Sequence, residues 1–167
     1  MKRLIIIVAV GIVLALLFRR FCFETVYVAS PSMEPTFKTK DRLIVNKTAY
    51  ILGKPKRGDI VLLRSPVSGK GLIKRVIAVP GEYIEIVNKD VFINDEFIRE
   101  EYVQYTRPST VLVGDNLGPI LVNEDNYFVM GDNRDVSRDS RDWSEEEGLQ
   151  TATVVIRNIE GKIIELF

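Results

Sequence analysis

Three segments of the chain carry side chains capable of chemistry. The first is Ser30-Pro31-Ser32-Met33-Glu34-Pro35-Thr36, two hydroxyls around one proline with a second proline close behind. Prolines at this spacing exclude a helix interior, so the stretch is stiff, extended or turning, and it presents a hydroxyl in a fixed direction. The second is Leu72 to Glu82, where Lys74 interrupts a strongly apolar strand. The third is Gly131-Asp132-Asn133-Arg134-Asp135-Val136-Ser137-Arg138-Asp139-Ser140-Arg141, a polar loop after an apolar strand. Taken singly, each has an ordinary reading: a turn, a lysine facing water, a solvated charged loop. Their joint occurrence, in this order and with these neighbours, is what marks them.

The absent residue types narrow the chemistry further. The chain of 167 residues has no histidine, which removes Ser-His-Asp and Cys-His mechanisms and every histidine-ligated metal site. One cysteine, Cys22, allows neither an intrachain disulfide nor a zinc cluster. It sits just past an apolar segment and reads as a packing residue rather than a lipidation site. Net charge is zero, but residues 1–20 hold Lys2, Arg3, Arg19 and Arg20 and no acid, so the remainder is mildly acidic. That balance argues against nucleic acid as a partner. Asp135, Ser137, Asp139 and Glu146 resemble a calcium loop, but Ser140 stands where the sharp turn needs Gly, and Arg138 and Arg141 would repel the ion. Arg57-Gly58-Asp59 reads as a turn into an apolar strand. No phosphate-binding or dinucleotide-binding glycine motif occurs.

The elements that must position these groups are mostly strands. Residues 42–46, 60–64, 72–79, 83–87, 91–94, 127–130 and 153–157 are short, rich in Val, Ile, Tyr and Phe, and bounded by turn residues such as Pro80-Gly81 and Gly131-Asp132-Asn133. The fold class is therefore mainly β, a barrel or a sandwich. Residues 104–120, with Pro108, Gly114, Gly118 and Pro119, read as a long loop or a small excursion. Ahead of the strands, Leu4 to Phe18 is apolar without a break between two pairs of cations. As a helix it covers roughly 22 Å, against a hydrocarbon thickness of about 30 Å. Snorkelling Arg19 and Arg20, with Phe21 and Phe23 beyond them, make up the difference. A cleavable signal peptide is the competing reading. A double arginine directly after the apolar stretch, with Ala29-Ser30 running into Pro31, argues for an uncleaved anchor instead. The expected division is an anchor over 1–23 and a β-rich body over 24–167. Flanking charge alone does not set the orientation.

Taken together, the three segments resemble the hallmark boxes of the bacterial type I signal peptidases, in the family's order, and Lys56-Arg57-Gly58-Asp59-Ile60-Val61 is similar to a fourth. The resemblance runs from the anchor to about residue 143. It implies a β-rich catalytic domain, of a fold shared with LexA-type proteins, on the outer face of the cytoplasmic membrane. It also implies a single-span amino-terminal transmembrane helix, with the amino terminus inside. The implied partners are the lipid bilayer and the signal peptides of secreted preproteins emerging from the secretion machinery, cut after small residues at −1 and −3. Residue by residue, it implies Ser32 as nucleophile and Lys74 as general base. Ser137 matches a serine that hydrogen-bonds the base. Asp139 and Arg141 match positions shaping the adjacent loop, and Ser30 matches a side-chain donor to the oxyanion hole.

The physics fits these roles. A serine hydroxyl needs an adjacent base. A lysine serves only when neutral, which its ordinary pKa of about 10.4 forbids unless desolvation lowers it. Lys74 is therefore expected to be buried, with Ile73, Val76 and Ile77 as apolar neighbours in sequence. No cofactor is needed. The pattern departs from the family at Pro31 between the two serines, at Glu82 where aspartate is usual, and at Ser144 to Thr153, which reads as an insertion. Two rivals are weighed: a self-cleaving LexA-type protein, opposed by the anchor and the Gly-Asp-Asn-Arg loop, and an inactive membrane-tethered binding module, opposed by the intact serines and lysine.

Overall fold

Runs of β-branched residues form strands where turn residues bound them. The computed structural model describes residues 2–112, 114–143 and 152–164, with the side chains of 14–19 outside that set. Eleven strands appear among these residues: β1 Phe23–Tyr27, β2 Arg42–Asn46, β3 Ile60–Arg64, β4 Gly71–Ala78, β5 Tyr83–Val87, β6 Asp90–Ile93, β7 Glu96–Phe97, β8 Leu117–Leu121, β9 Asn126–Met130, β10 Val154–Val155 and β11 Ile159–Ile164. Helix α1 spans Lys2–Cys22 and the short α2 spans Ser140–Trp143.

The strands build two antiparallel sheets, a seven-stranded one in the order β1-β2-β11-β3-β4-β9-β10 and a four-stranded one in the order β7-β6-β5-β8. The mainly β expectation holds. Strands 42–46, 60–64 and 83–87 form over their expected residues. The stretch 153–157 forms only the two-residue β10 before a single turn of 3₁₀-helix, Ile156–Asn158. The segment 104–120 runs into β8, which lies at an edge of the smaller sheet. Pro119 fits there because an edge strand can lose a ladder donor. Gly118, at φ 109°, brings its backbone so close to β5 that a Cβ would stand 2.7 Å from the Ile84 carbonyl.

Strand β3 is central and buried on both faces, so it reads as a continuous apolar run rather than an alternating one. Ile60 and Leu62 face a cluster with Val28, Met33, Phe37 and Val45. Val61 and Leu63 face another with Val76, Val129 and Trp143. A third cluster joins the two sheets through Ile77, Ile84, Phe128 and Met130. The alternation sorts the apolar neighbours of Lys74. Val61 lies opposite it across the ladder and Val76 shares its face, whereas Ile73 and Ile77 belong to the other clusters.

Along α1, residues 2–13 are exposed, and Cys22 is buried where the helix meets β1. Among the described residues no helix is long and apolar enough to cross a membrane. The expected anchor over 1–23 falls partly on 14–19, whose side chains lie outside the described residues. Most of the expected insertion, 144–151, also lies outside them.

Candidate active site

The first hydroxyl-bearing segment is fixed from below. Pro31–Met33 form one turn of 3₁₀-helix entered through Ser30 in extended conformation. Met33 is 1% exposed in the core, and its carbonyl accepts a hydrogen bond from the Phe37 N–H at 2.9 Å. Ser32 is thus held at the core surface and is itself buried. The Ser30 hydroxyl donates to the Ser32 hydroxyl at 3.2 Å.

Lys74 comes from the middle of β4 and is 2% exposed. Its amine donates to the Ser137 hydroxyl at 2.9 Å. Burial pushes the Lys74 amine below its ordinary pKa. Asp139, Asp142 and Asp132 oppose that shift, and Arg141 adds to it. Ser137 also hydrogen-bonds the Asp139 carboxylate, so the hydroxyl stands between amine and carboxylate.

The third segment folds around Asp139, which is fully buried. Burial alone would raise its carboxyl. The Arg141 guanidinium, Lys74 and the Ser137 hydroxyl outweigh that and hold it below the usual carboxylate range. Arg141 forks onto it through Nε at 2.9 Å and Nη2 at 3.1 Å, and the Gly131 N–H donates to it at 3.0 Å. A buried bidentate pair of this kind gives the loop one geometry.

The six residues singled out in the sequence form two bonded groups, Ser30 with Ser32 and Lys74 with Ser137, Asp139 and Arg141, and the two come together at Gly131. A Cβ on Gly131 would collide with the Ser137 hydroxyl and the Ser32 carbonyl. The Asn133 N–H donates to that same Ser32 carbonyl at 3.1 Å. Only a glycine lets the 131–137 backbone lie this close to both hydroxyl-bearing segments.

Several positioning residues were not singled out in advance. Asp132 ties all three segments together, accepting from Thr36 and taking the Arg75 guanidinium in a fork at 2.7 and 2.8 Å. The Ser140 hydroxyl accepts the Val129 N–H at 2.9 Å, pinning α2 to β9. Glu100, from the chain beyond β7, pairs with the buried Arg134 at 2.6 Å. Their residue types are unremarkable in sequence, and partners 11 to 96 residues apart carry no periodic signal.

Beside Ser32 lies a cleft of about 410 Å³. One wall is the chain from Val26 to Ser30, at the edge of the large sheet, and the other is Lys70 to Ile73. The sheet curls to bring these walls together. Strand β9 pairs with Arg75, Val76 and Ala78 of β4, so among the described residues Gly71–Ile73 have no strand on that side. Two free strand edges therefore face one apolar cleft. A hydroxyl at its end, and a buried amine predisposed to be neutral, make a site suited to nucleophilic attack with proton transfer.

A family model described as "Signal peptidase, peptidase S26" matches residues 1–167. Signal peptidase I P of Bacillus subtilis subsp. natto is 44% identical over 138 residues, 80% of this chain and 74% of that protein. Signal peptidase I of Leptolyngbya laminosa is 38% identical over 144 residues, covering 81% and 68%. Among solved structures, a signal peptidase I from Enterococcus faecalis superposes with a TM-score of 0.52 at 31% identity, covering 67% of this chain and 98% of that one.

Proposed function

We propose that this chain, which belongs to the signal peptidase family, peptidase S26, and is a serine peptidase, removes amino-terminal signal peptides from secreted preproteins, with Ser32 as nucleophile and neutral Lys74 as general base. The observation that carries the reading is the Lys74 amine. It is buried, depressed in pKa and bonded to the Ser137 hydroxyl, which meets the Ser32 turn at Gly131.

The substrate lies extended in the cleft and adds to the free edges of β1 and of Gly71–Ile73, where main-chain hydrogen bonds hold a peptide of any sequence. Val28, Ala29, Leu72 and Ile73 line this path and favour small apolar side chains at −1 and −3. With the scissile carbonyl in place, the Ser32 hydroxyl turns from Ser30 to the Lys74 amine, which takes its proton as the oxygen attacks. The Ser32 N–H and the Ser30 hydroxyl stabilise the oxyanion. Lys74 hands the proton to the leaving amine, then removes one from the water that hydrolyses the acyl-enzyme and returns it to the Ser32 oxygen as the acyl bond breaks. Ser137, fixed by Asp139 and Arg141, keeps the amine aimed throughout.

Residues 1–23 anchor the protein in the cytoplasmic membrane, with 24–167 on its extracytoplasmic side. Supporting this, α1 has 21 residues. The unbroken apolar stretch Leu4 to Phe18 lies within it, between two pairs of cations.

The test uses the full chain in detergent with a preprotein whose signal ends in Ala-x-Ala. Cleavage after the last Ala is expected, with activity rising with pH through a base pKa well below 10.4. Both Ser32→Ala and Lys74→Ala are expected to lower kcat by at least about a thousandfold. A folded wild type that cuts nothing would refute the enzyme reading, and full activity in Lys74→Ala would refute the base.

A further inference from the structure

We propose that Lys70 is a specificity-determining residue that selects for an acidic residue, and against a basic one, near position −5 of the substrate. This inference rests on the peptidase reading above and extends it to a part of the signal that the −1 and −3 positions do not reach.

Among the described residues, Lys70 is the one charged side chain lining the cleft beside Ser32. It is exposed, and among the described residues its ammonium has no acidic partner. Its backbone, by contrast, is fixed. The Ser65 N–H donates to the Lys70 carbonyl at 2.8 Å and closes the connection between β3 and β4. The Cα is thus held at the cleft wall while the ammonium sweeps the mouth.

Position along the cleft follows from strand geometry. Lys70 precedes Lys74 by four residues in an extended stretch, roughly 13 Å at about 3.3 Å per residue. A peptide lying extended along the free edge of Gly71–Ile73 has the same rise. If its −1 residue sits at Ser32 and Lys74 and it runs parallel to β4, with its amino end toward Lys70, the residue level with Lys70 is about −5. The length of the lysine side chain extends its reach by about one position either way. Among the described residues the rest of the lining is uncharged, so Lys70 is the lining side chain that can pair with or repel a charged residue there. An anionic side chain gains an ion pair and a cationic one meets repulsion. Both effects are modest because the mouth is open to water.

The experiment compares three peptides that share Ala at −1 and −3 and differ only in Glu, Gln or Lys at −5. They are cut by the full-length enzyme in an uncharged detergent at low salt. The readout is the ratio of kcat/KM values within each enzyme, which cancels any general change in activity. Wild type is expected to favour Glu over Lys by roughly threefold to tenfold, and salt at about 0.5 M is expected to shrink that ratio towards one. Lys70→Gln is expected to give a ratio near one, and Lys70→Glu to invert it. If one variant fails to fold, the other still decides. Equal ratios in wild type and variants, or a wild-type ratio of one, overturn the role of Lys70 and leave the peptidase reading intact. A folded wild type that cuts none of the three overturns the peptidase reading and this inference together.

Discussion

Lys74 shows how far one residue can be taken from its ordinary state. Its amine is held under an apolar sheet at 2% exposure, and burial outweighs three nearby carboxylates in setting its pKa. The same depression costs stability. A base whose folded pKa lies below its unfolded value releases a proton on folding. The penalty is complete below the folded pKa and vanishes as pH rises to about 10.4. Lys74→Met fills the same space without a charge. It is expected to abolish cleavage and yet raise the melting temperature by roughly 2 °C or more at neutral pH. The advantage is expected to shrink steadily between neutrality and pH 10. Calorimetry across that range checks it, and a variant less stable than wild type at every pH would contradict the sign.

At the scale of elements, the polar loop between β9 and α2 does the positioning. It touches the Ser32 turn through Gly131 and Asn133, Lys74 through Ser137, and its own interior through Asp139 and Arg141. Gly131 is the point of closest approach, because its missing side chain leaves room for the Ser32 carbonyl and the Ser137 hydroxyl at once. Gly131→Ala forces those two segments apart. Misplacing a reacting group by about 1 Å can cost about a hundredfold in rate. Gly131→Ala is accordingly expected to lower kcat by about that factor with a much smaller change in KM, together with a loss of about 1–3 kcal/mol from crowding. Steady-state kinetics beside a denaturant titration separate the two effects. Wild-type kcat in the variant would mean that the loop relaxes freely.

For the whole molecule, the division of labour is between α1 and the sheets. The three apolar clusters lie in residues 28–163, and α1 contributes only Cys22 to the buried apolar set among the described residues. A chain beginning at Phe21 is therefore expected to keep the β-rich circular dichroism spectrum and cooperative unfolding of the full protein. It is also expected to cut soluble peptides at a rate comparable to the full protein in detergent, and to lose most of its activity on preproteins embedded in vesicles. Loss of cooperative unfolding on truncation would show that α1 is part of the fold rather than a tether.

The sequence by itself determined the candidate site residues and most of the strands. The absence of histidine removed the common bases, and the three boxes carried the six site residues through their resemblance to the signal peptidase family. Strands 42–46, 60–64 and 83–87 were legible because β-branched runs ended at turn residues, a local signal. Strands β1, β8 and β11 were not, because Phe23–Tyr27 follows a helix directly, Leu117–Leu121 contains a glycine and a proline, and Ile159–Ile164 contains a glycine. Their pairing with β2, β5 and β3 makes them strands. Only the tertiary structure decided which apolar neighbours Lys74 faces, that Asp132 joins Thr36 to Arg75, and that the edge of β1 curls back to face Gly71–Ile73 across a cleft. Periodicity and composition report on a residue and its next few neighbours. Contacts such as that between Arg75 and Asp132 are set by strand register and sheet curvature, which belong to the chain as a whole.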